Sequence, residues 1–174
     1  MAHSWGQAFH KRMMDFATRR TARENEVPVS VKVGVTSGCF HREHSPDAYE
    51  LIDKHLASIP SGDTDFAFEE HESGPEILVY LTLTTAGVML AKSVIDLITA
   101  IVKARAEGIQ GRDHPRDPLR LVIRRTRRNG DFEEEIVMHF EAHEPVDKAR
   151  IEKSLIAAAT RLLKGELPTG KRQQ

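Results

Sequence analysis

Cysteine is nearly absent from this chain. Cys39 is the single one among 174 residues, which excludes an intramolecular disulfide and any fold stapled by a disulfide framework. One thiol fits a reducing compartment, and the cytoplasm is the expected location. An excess of either charge is missing too. Lys and Arg total 25 against 26 Asp and Glu, a formal net charge of −1, so no global field draws the molecule to nucleic acid or to an anionic membrane. Long apolar runs are lacking: residues 77–91 carry no charge, but Lys92 ends the run after 15 positions, against about 20 needed to cross a bilayer. The first residues, MAHSWGQAFHKRMMDF, have no basic region followed by an apolar stretch of about 7–15 residues, so no signal peptide is expected. Catalytic signatures are missing as well. No P-loop, GxGxxG, nucleophile elbow, HExxH or CxxC pair occurs, and the expectation is a protein without enzymatic activity.

What is present, 40% apolar and 29% charged residues, suffices for one cored domain with short appendages. Residues 1–24 read as an N-terminal amphipathic helix, 27–164 as a single α+β domain, and 165–174 as a solvated C-terminal tail. In the N-terminal helix Trp5, Phe9, Met13 and Phe16 recur at helical spacing and form an apolar interaction stripe. Its own domain, a partner subunit or, third, a membrane surface could cover that stripe. Val27, Val29, Val31, Val33 and Val35 alternate with Ser30, Lys32 and Gly34, the pattern of a half-buried strand. Ser45-Pro46-Asp47 has the composition of a helix start. Ala48, Leu51, Ile52, His55, Leu56 and Ile59 trace one face of that helix, which Pro60-Ser61-Gly62 ends. TDFAFEEH at 64–71 reads as a second strand with Phe66 and Phe68 inward.

Two readings compete for EILVYLTLTTAGVMLAKSVIDLITAIVKARAEG, residues 76–108. The β-branched run favours a strand through Thr84 followed by a helix. The Ser73/Pro75 start, and Gly87 as the sole turn signal, favour one long apolar helix, and this second reading is adopted. In it Lys92 and Asp96, four apart, form a polar pair on a buried helix. PLRLVIRRTRR, Asn129-Gly130 and DFEEEIVMHFEAH then predict a hairpin with a two-residue turn. Counting out from the turn pairs Arg128 with Asp131, Arg125 with Glu134, Arg124 with Glu135, Ile123 with Ile136, Leu121 with Met138, Arg120 with His139 and Leu119 with Phe140. Opposite charges meet and apolar groups meet, which supports the register. The arginines read as cross-strand ion-pair partners, and no nucleic acid is expected. Asp147 caps a last helix whose buried stripe is Ile151, Leu155, Ala158, Ala159, Leu162 and Leu163.

The sum is a ferredoxin-like βαβαββα sandwich, with helices on one face of a four-stranded, mostly antiparallel sheet and an extra N-terminal helix. Three donors stand close in the loop SGCFHREHSPD: Cys39, His41 and His44. A thiolate and two imidazoles suit zinc or another late transition metal, although no second ligand pair with matching spacing follows. His139 and Glu141, two apart on one strand face, could do acid–base work.

The element order resembles that of small bacterial proteins of the effector-associated constant component type. It is βαβ, then the small-residue-rich segment TTAGVMLAKSVIDLITAIVKAR, then a basic strand, a turn, an acidic strand and a helix. The likeness spans about residues 27–163, and it implies a non-catalytic adaptor. The primary expectation is therefore a protein-interaction or adaptor domain, self-associating as a homo-oligomer or docking a protein partner. The alternatives are a metal- or redox-responsive regulator built on Cys39, His41 and His44, and a small-ligand binder with its site between the central helix and the sheet, near His139.

Overall fold

The computed structural model describes residues 5–60, 66–114, 117–127, 129–142 and 144–165. The helix stop at Ser61-Gly62, the start of the second strand at 64–65, the partner assigned to Arg128 and the tail from 166 onward lie outside them. The elements are α1 (Trp5–Thr18), β1 (Glu26–Val35), α2 (Pro46–Ser58), β2 (Phe66–His71), β3 (Gly74–Thr84), β4 (Gly87–Met89), α3 (Lys92–Gln110), β5 (Leu119–Thr126), β6 (Phe132–Phe140) and α4 (Lys148–Lys164). The chain is an α+β fold with four helices and a six-stranded sheet. The strand order is β2-β3-β1-β5-β6, with β4 paired to β3, and every pairing is antiparallel.

β1 lies at the centre and behaves as its alternation predicts. Val29, Val31, Val33 and Val35 are buried with Ile77, Val79 and Leu81 of β3 and Leu119, Leu121 and Ile123 of β5. On the same face pack Ala48, Tyr49 and Ile52 of α2, the apolar side of α3, and Ile151, Leu155, Ala158, Ala159 and Leu162 of α4. Each fully buried aliphatic side chain of this kind contributes about 1.5–3 kcal/mol. Asp147 caps α4 as expected, its carboxylate accepting the N–H groups of Ala149 and Arg150.

The single long apolar helix is overturned. Residues 74–84 form β3, Thr85-Ala86 turn, Gly87–Met89 form β4, and α3 begins only at Lys92. The sheet accordingly has six strands where four were expected. The physical reason lies in what covers β3. Gly74–Leu81 are buried without alternation, because α2–α4 pack on one face of the sheet and α1 on the other. A strand covered on both faces reads as a continuous apolar run. Gly87 supplies the turn with φ 128°, a conformation that costs glycine little.

α1 corrects the one-sided placement of helices. Phe9, Met13 and Phe16 are buried against Leu78 and Tyr80 on the outer face, with Phe16 stacked on Tyr80 at 4.8 Å between ring centroids. Trp5 is 43% exposed and meets Phe132 edge-on at 4.6 Å. The interaction stripe of the N-terminal helix is thus covered within the chain, apart from Trp5.

Two pairings change as well. Lys92 is exposed at the first position of α3, and Asp96 pairs with Lys148 at the start of α4, so the buried Lys92–Asp96 pair does not form. In the hairpin the Arg127 N–H donates to the Asp131 carbonyl and the Gly130 N–H to the Arg127 carbonyl. The loop is therefore three residues, with Gly130 at φ 85°. Pairing near the turn shifts by one, to Arg124–Glu134 and Arg125–Glu133, and Ile123 faces Glu135. An irregularity at Leu121/Val122 restores the expected Leu121–Met138, Arg120–His139 and Leu119–Phe140 pairs. The ion pairs form, with Arg124 on Glu134 and both Arg125 and Arg127 on Glu133. Among the described residues no helix is long and apolar enough to cross a membrane.

Candidate metal site in the β1–α2 loop

The loop leaving β1 turns at Gly38, φ 86°, and is then pinned by Phe40. That ring is fully buried, lies edge-on to Tyr49 at 5.6 Å, and its N–H donates to the Glu72 carbonyl at 2.9 Å. The Tyr49 hydroxyl donates back to the Phe40 carbonyl at 3.0 Å. Anchoring Phe40 fixes Cys39 beside it. Beyond it the His41 carbonyl accepts the N–H groups of His44 at 3.2 Å and Ser45 at 2.8 Å. This tight turn brings the two imidazoles to 5.0 Å between centroids. Sulfur and ring nitrogens of Cys39, His41 and His44 all lie within 4.8 Å of one another, with Cys39 buried, His41 half-buried and His44 exposed. The three donors picked out by spacing are therefore brought together, and no fourth among the described residues joins them.

Burial pushes the Cys39 thiol up, opposed by the backbone N–H of His41; Glu72 and Glu43 push it further up and Arg105 pulls it down. A divalent ion would reverse that balance, since coordination deprotonates a thiol outright. His41 Nδ1 accepts the Glu43 N–H at 3.1 Å. Either mode of ligation breaks this bond: Nδ1 would turn its lone pair to the ion, and Nε2 could ligate only with the proton moved to Nδ1, facing another donor. The His44 ring nitrogens make no hydrogen bond among the described residues.

The loop is tied to α3 and to the segment that follows it. The Ser45 side chain makes no cap bond to α2; its hydroxyl instead accepts from Arg105 Nη1 of α3 at 3.1 Å. Asp113 supplies the cap, its two oxygens accepting the N–H groups of Asp47 and Ala48. The His44 carbonyl accepts the His114 N–H at 3.0 Å. Arg105 is buried, with its guanidinium over the Phe40 ring at 4.9 Å. Sequence reasoning missed Arg105 and Asp113 because neither stands in a local motif.

A second donor group, Glu69, His71 and Glu76, is equally compact but already neutralised. Arg12 of α1 hydrogen-bonds Glu76 and stands as an ion-pair partner 3.0 Å from Glu69, Ser30 donates to Glu76, and His71 Nε2 lies 2.8 Å from it. Burial opposes ionisation of Glu76, yet its hydrogen bonds from His71 and Ser30 and the charge of Arg12 bring its pKa down to about 2. This is an internal ion-pair network. His139 is exposed on β6, apart from either group.

Fold and site together describe an α+β domain with an all-antiparallel sheet and a compact Cys-His-His loop. Compared with known proteins, the chain matches no family model, no curated protein and no solved structure.

Proposed function

We propose that this chain is a non-enzymatic domain that takes up a zinc-class divalent ion through Cys39, His41 and His44. The observation carrying the reading is the convergence of one sulfur and two ring nitrogens within 4.8 Å at a turn whose backbone is already fixed. One thiolate and two imidazoles form a borderline-soft set suited to zinc, with a fourth position open to water or an incoming ligand. The loop is bonded to α3 through Ser45–Arg105 and to the α3–β5 connection through His44–His114. Loading would stiffen a segment that touches three elements, which is how a metal-responsive regulator would pass occupancy on.

Tag-free apo-protein titrated with cobalt is the test. Stoichiometric uptake with a cobalt–thiolate charge-transfer band is expected, lost in Cys39→Ser, and zinc should displace the cobalt. The Glu43 amide resonance should move on loading, because its hydrogen bond to His41 is broken in either ligation mode. Absence of uptake, or equal uptake by Cys39→Ser, refutes the reading.

A protein-interaction role rests on a different observation. Leu83, Met89, Phe132 and Ile136 are large exposed apolar side chains, all on the β3–β4 hairpin or edge strand β6. Light scattering that finds a dimer, and a monomer for Ile136→Glu, would support self-association through the β6 edge; a monomer at high concentration would exclude it.

A further inference from the structure

α1 covers only part of the outer sheet face. On that face lies a recess of about 180 Å³ whose lining includes Lys32, Gly34, Ser73, Arg120, Val122 and Arg124. Register explains the company. Gly34 of β1 pairs with Arg120 of β5, Lys32 with Val122, and Ser30 with Arg124, so the three cations stand on one face of adjacent strands. Gly34 keeps the floor open, since a Cβ there would come within 2.7 Å of the Ser73 carbonyl oxygen.

The cations are only partly compensated. Lys32 makes no ion pair among the described residues, although Glu76 stands opposite it, because that carboxylate is engaged by Ser30, Arg12 and His71. Arg124 is only 9% exposed. Its Nε bonds Glu134, but its Nη1 is buried without a hydrogen bond among the described residues, 4.0 Å from Glu76 Oε1. Nε of Arg120 is likewise buried without a hydrogen-bond partner among the described residues. Burial lowers the Lys32 pKa and Arg124 adds repulsion; Glu76 opposes the shift, and Arg12 and Arg120 repel further. Buried guanidinium donors without acceptors are costly unless an anion supplies the acceptors.

We infer that this recess binds the phosphoryl group of a small molecule, held by Lys32, Arg120 and Arg124. Three cations and no carboxylate in the lining match a dianion better than a singly charged carboxylate, and arginine forks suit tetrahedral oxyanions. A nucleic-acid backbone needs a basic stripe along its track. Here Arg125 and Arg127 of the same hairpin are held by Glu133, and the donors left without a hydrogen bond among the described residues, Arg124 Nη1 and Arg120 Nε, belong to residues that line the recess.

Calorimetric titration at constant ionic strength tests this with inorganic phosphate and glycerol phosphate, which separate the free ion from an ester, and with acetate and a single-stranded oligonucleotide as counter-probes. Saturable binding of one or both phosphates is expected, tighter than acetate, and about tenfold weaker in Arg120→Met and in Lys32→Met. Circular dichroism checks that both variants fold, and Lys32→Met decides alone if Arg120→Met does not. No saturable phosphate binding, binding unchanged in the folded variants, or an oligonucleotide bound more tightly than either phosphate overturns the inference.

Discussion

Asp113 Oδ2 accepts the backbone N–H of Ala48 at 2.9 Å, so the cap of α2 comes from the segment after α3. Oδ1 accepts the Asp47 N–H at 3.0 Å, and the carboxylate is 1% exposed. The contact depends on Gly108 of α3, where a Cβ would stand 2.0 Å from Oδ2. Asp113→Ala should lower stability by about 1–2 kcal/mol, the cost of a lost cap. Gly108→Ala would ordinarily gain helix propensity but here should destabilise by evicting the carboxylate. The decisive outcome is a change of sign: in the Asp113→Ala background Gly108→Ala should be neutral or stabilising in urea unfolding. A cost that persists without the carboxylate would mean that the helix contact with Ala48, 3.1 Å from the same position, dominates instead.

Glu76 makes the fold acid-sensitive. Its carboxyl sits at about 2 in the folded protein against an ordinary 4.5. A depressed folded value means a contribution fully present above pH 4.5 and lost as pH falls towards 2, worth about 3 kcal/mol at neutral pH. Glu76→Gln should therefore be less stable than the parent by about that amount at pH 7, and the gap should shrink steadily below pH 4.5. A gap independent of pH would assign the loss to packing.

How much of this was legible in the sequence differs by element, for physical reasons. β1 declares itself because one face meets the core and the other meets polar groups, so its valines alternate. α4 declares itself through a local cap and a one-sided stripe. β3 does not: both of its faces are covered, by α1 and by α2–α4, and the alternation that marks a strand is erased. The hairpin turn is visible as Asn129-Gly130, but its three-residue loop and the compensating irregularity at Leu121/Val122 shift the pairs between them. Of the two candidate sites, Cys39, His41 and His44 stand within one loop and can be read directly. Lys32, Arg120 and Arg124 come together only through the β1–β5 register, which no local pattern encodes.

Lys32 should be a site of stored instability. Burial, then repulsion from Arg124, lowers its pKa from the ordinary 10.5, so its charged form is disfavoured in the fold relative to the unfolded chain. At neutral pH that penalty is present in full, and it is relieved as pH rises through the lowered value towards 10.5. Lys32→Met, which keeps the stem and removes the charge, should raise the melting temperature at pH 7, with the gain narrowing in alkaline buffer. The same variant binds phosphate more weakly under the inference above, a trade expected where a charged ligand-binding group is held in a desolvated recess.

The docking of α1 can be tested against the idea that its apolar stripe serves a partner. Phe9 is fully buried, stacked on Trp5 at 5.5 Å and edge-on to Phe132 at 6.3 Å, while His10 bonds the Thr126 hydroxyl at 2.7 Å and Arg12 bonds Glu76. Phe9→Ala should lower stability by about 3–5 kcal/mol, the cost of emptying an aromatic site, and should open residues 5–18 to protease. Trp5→Ala, at a position 43% exposed, should cost less. If the helix instead packed on a second subunit, the Phe9→Ala loss would shrink on dilution, because the parent would forfeit its association energy. A loss independent of concentration is the outcome this intramolecular packing demands.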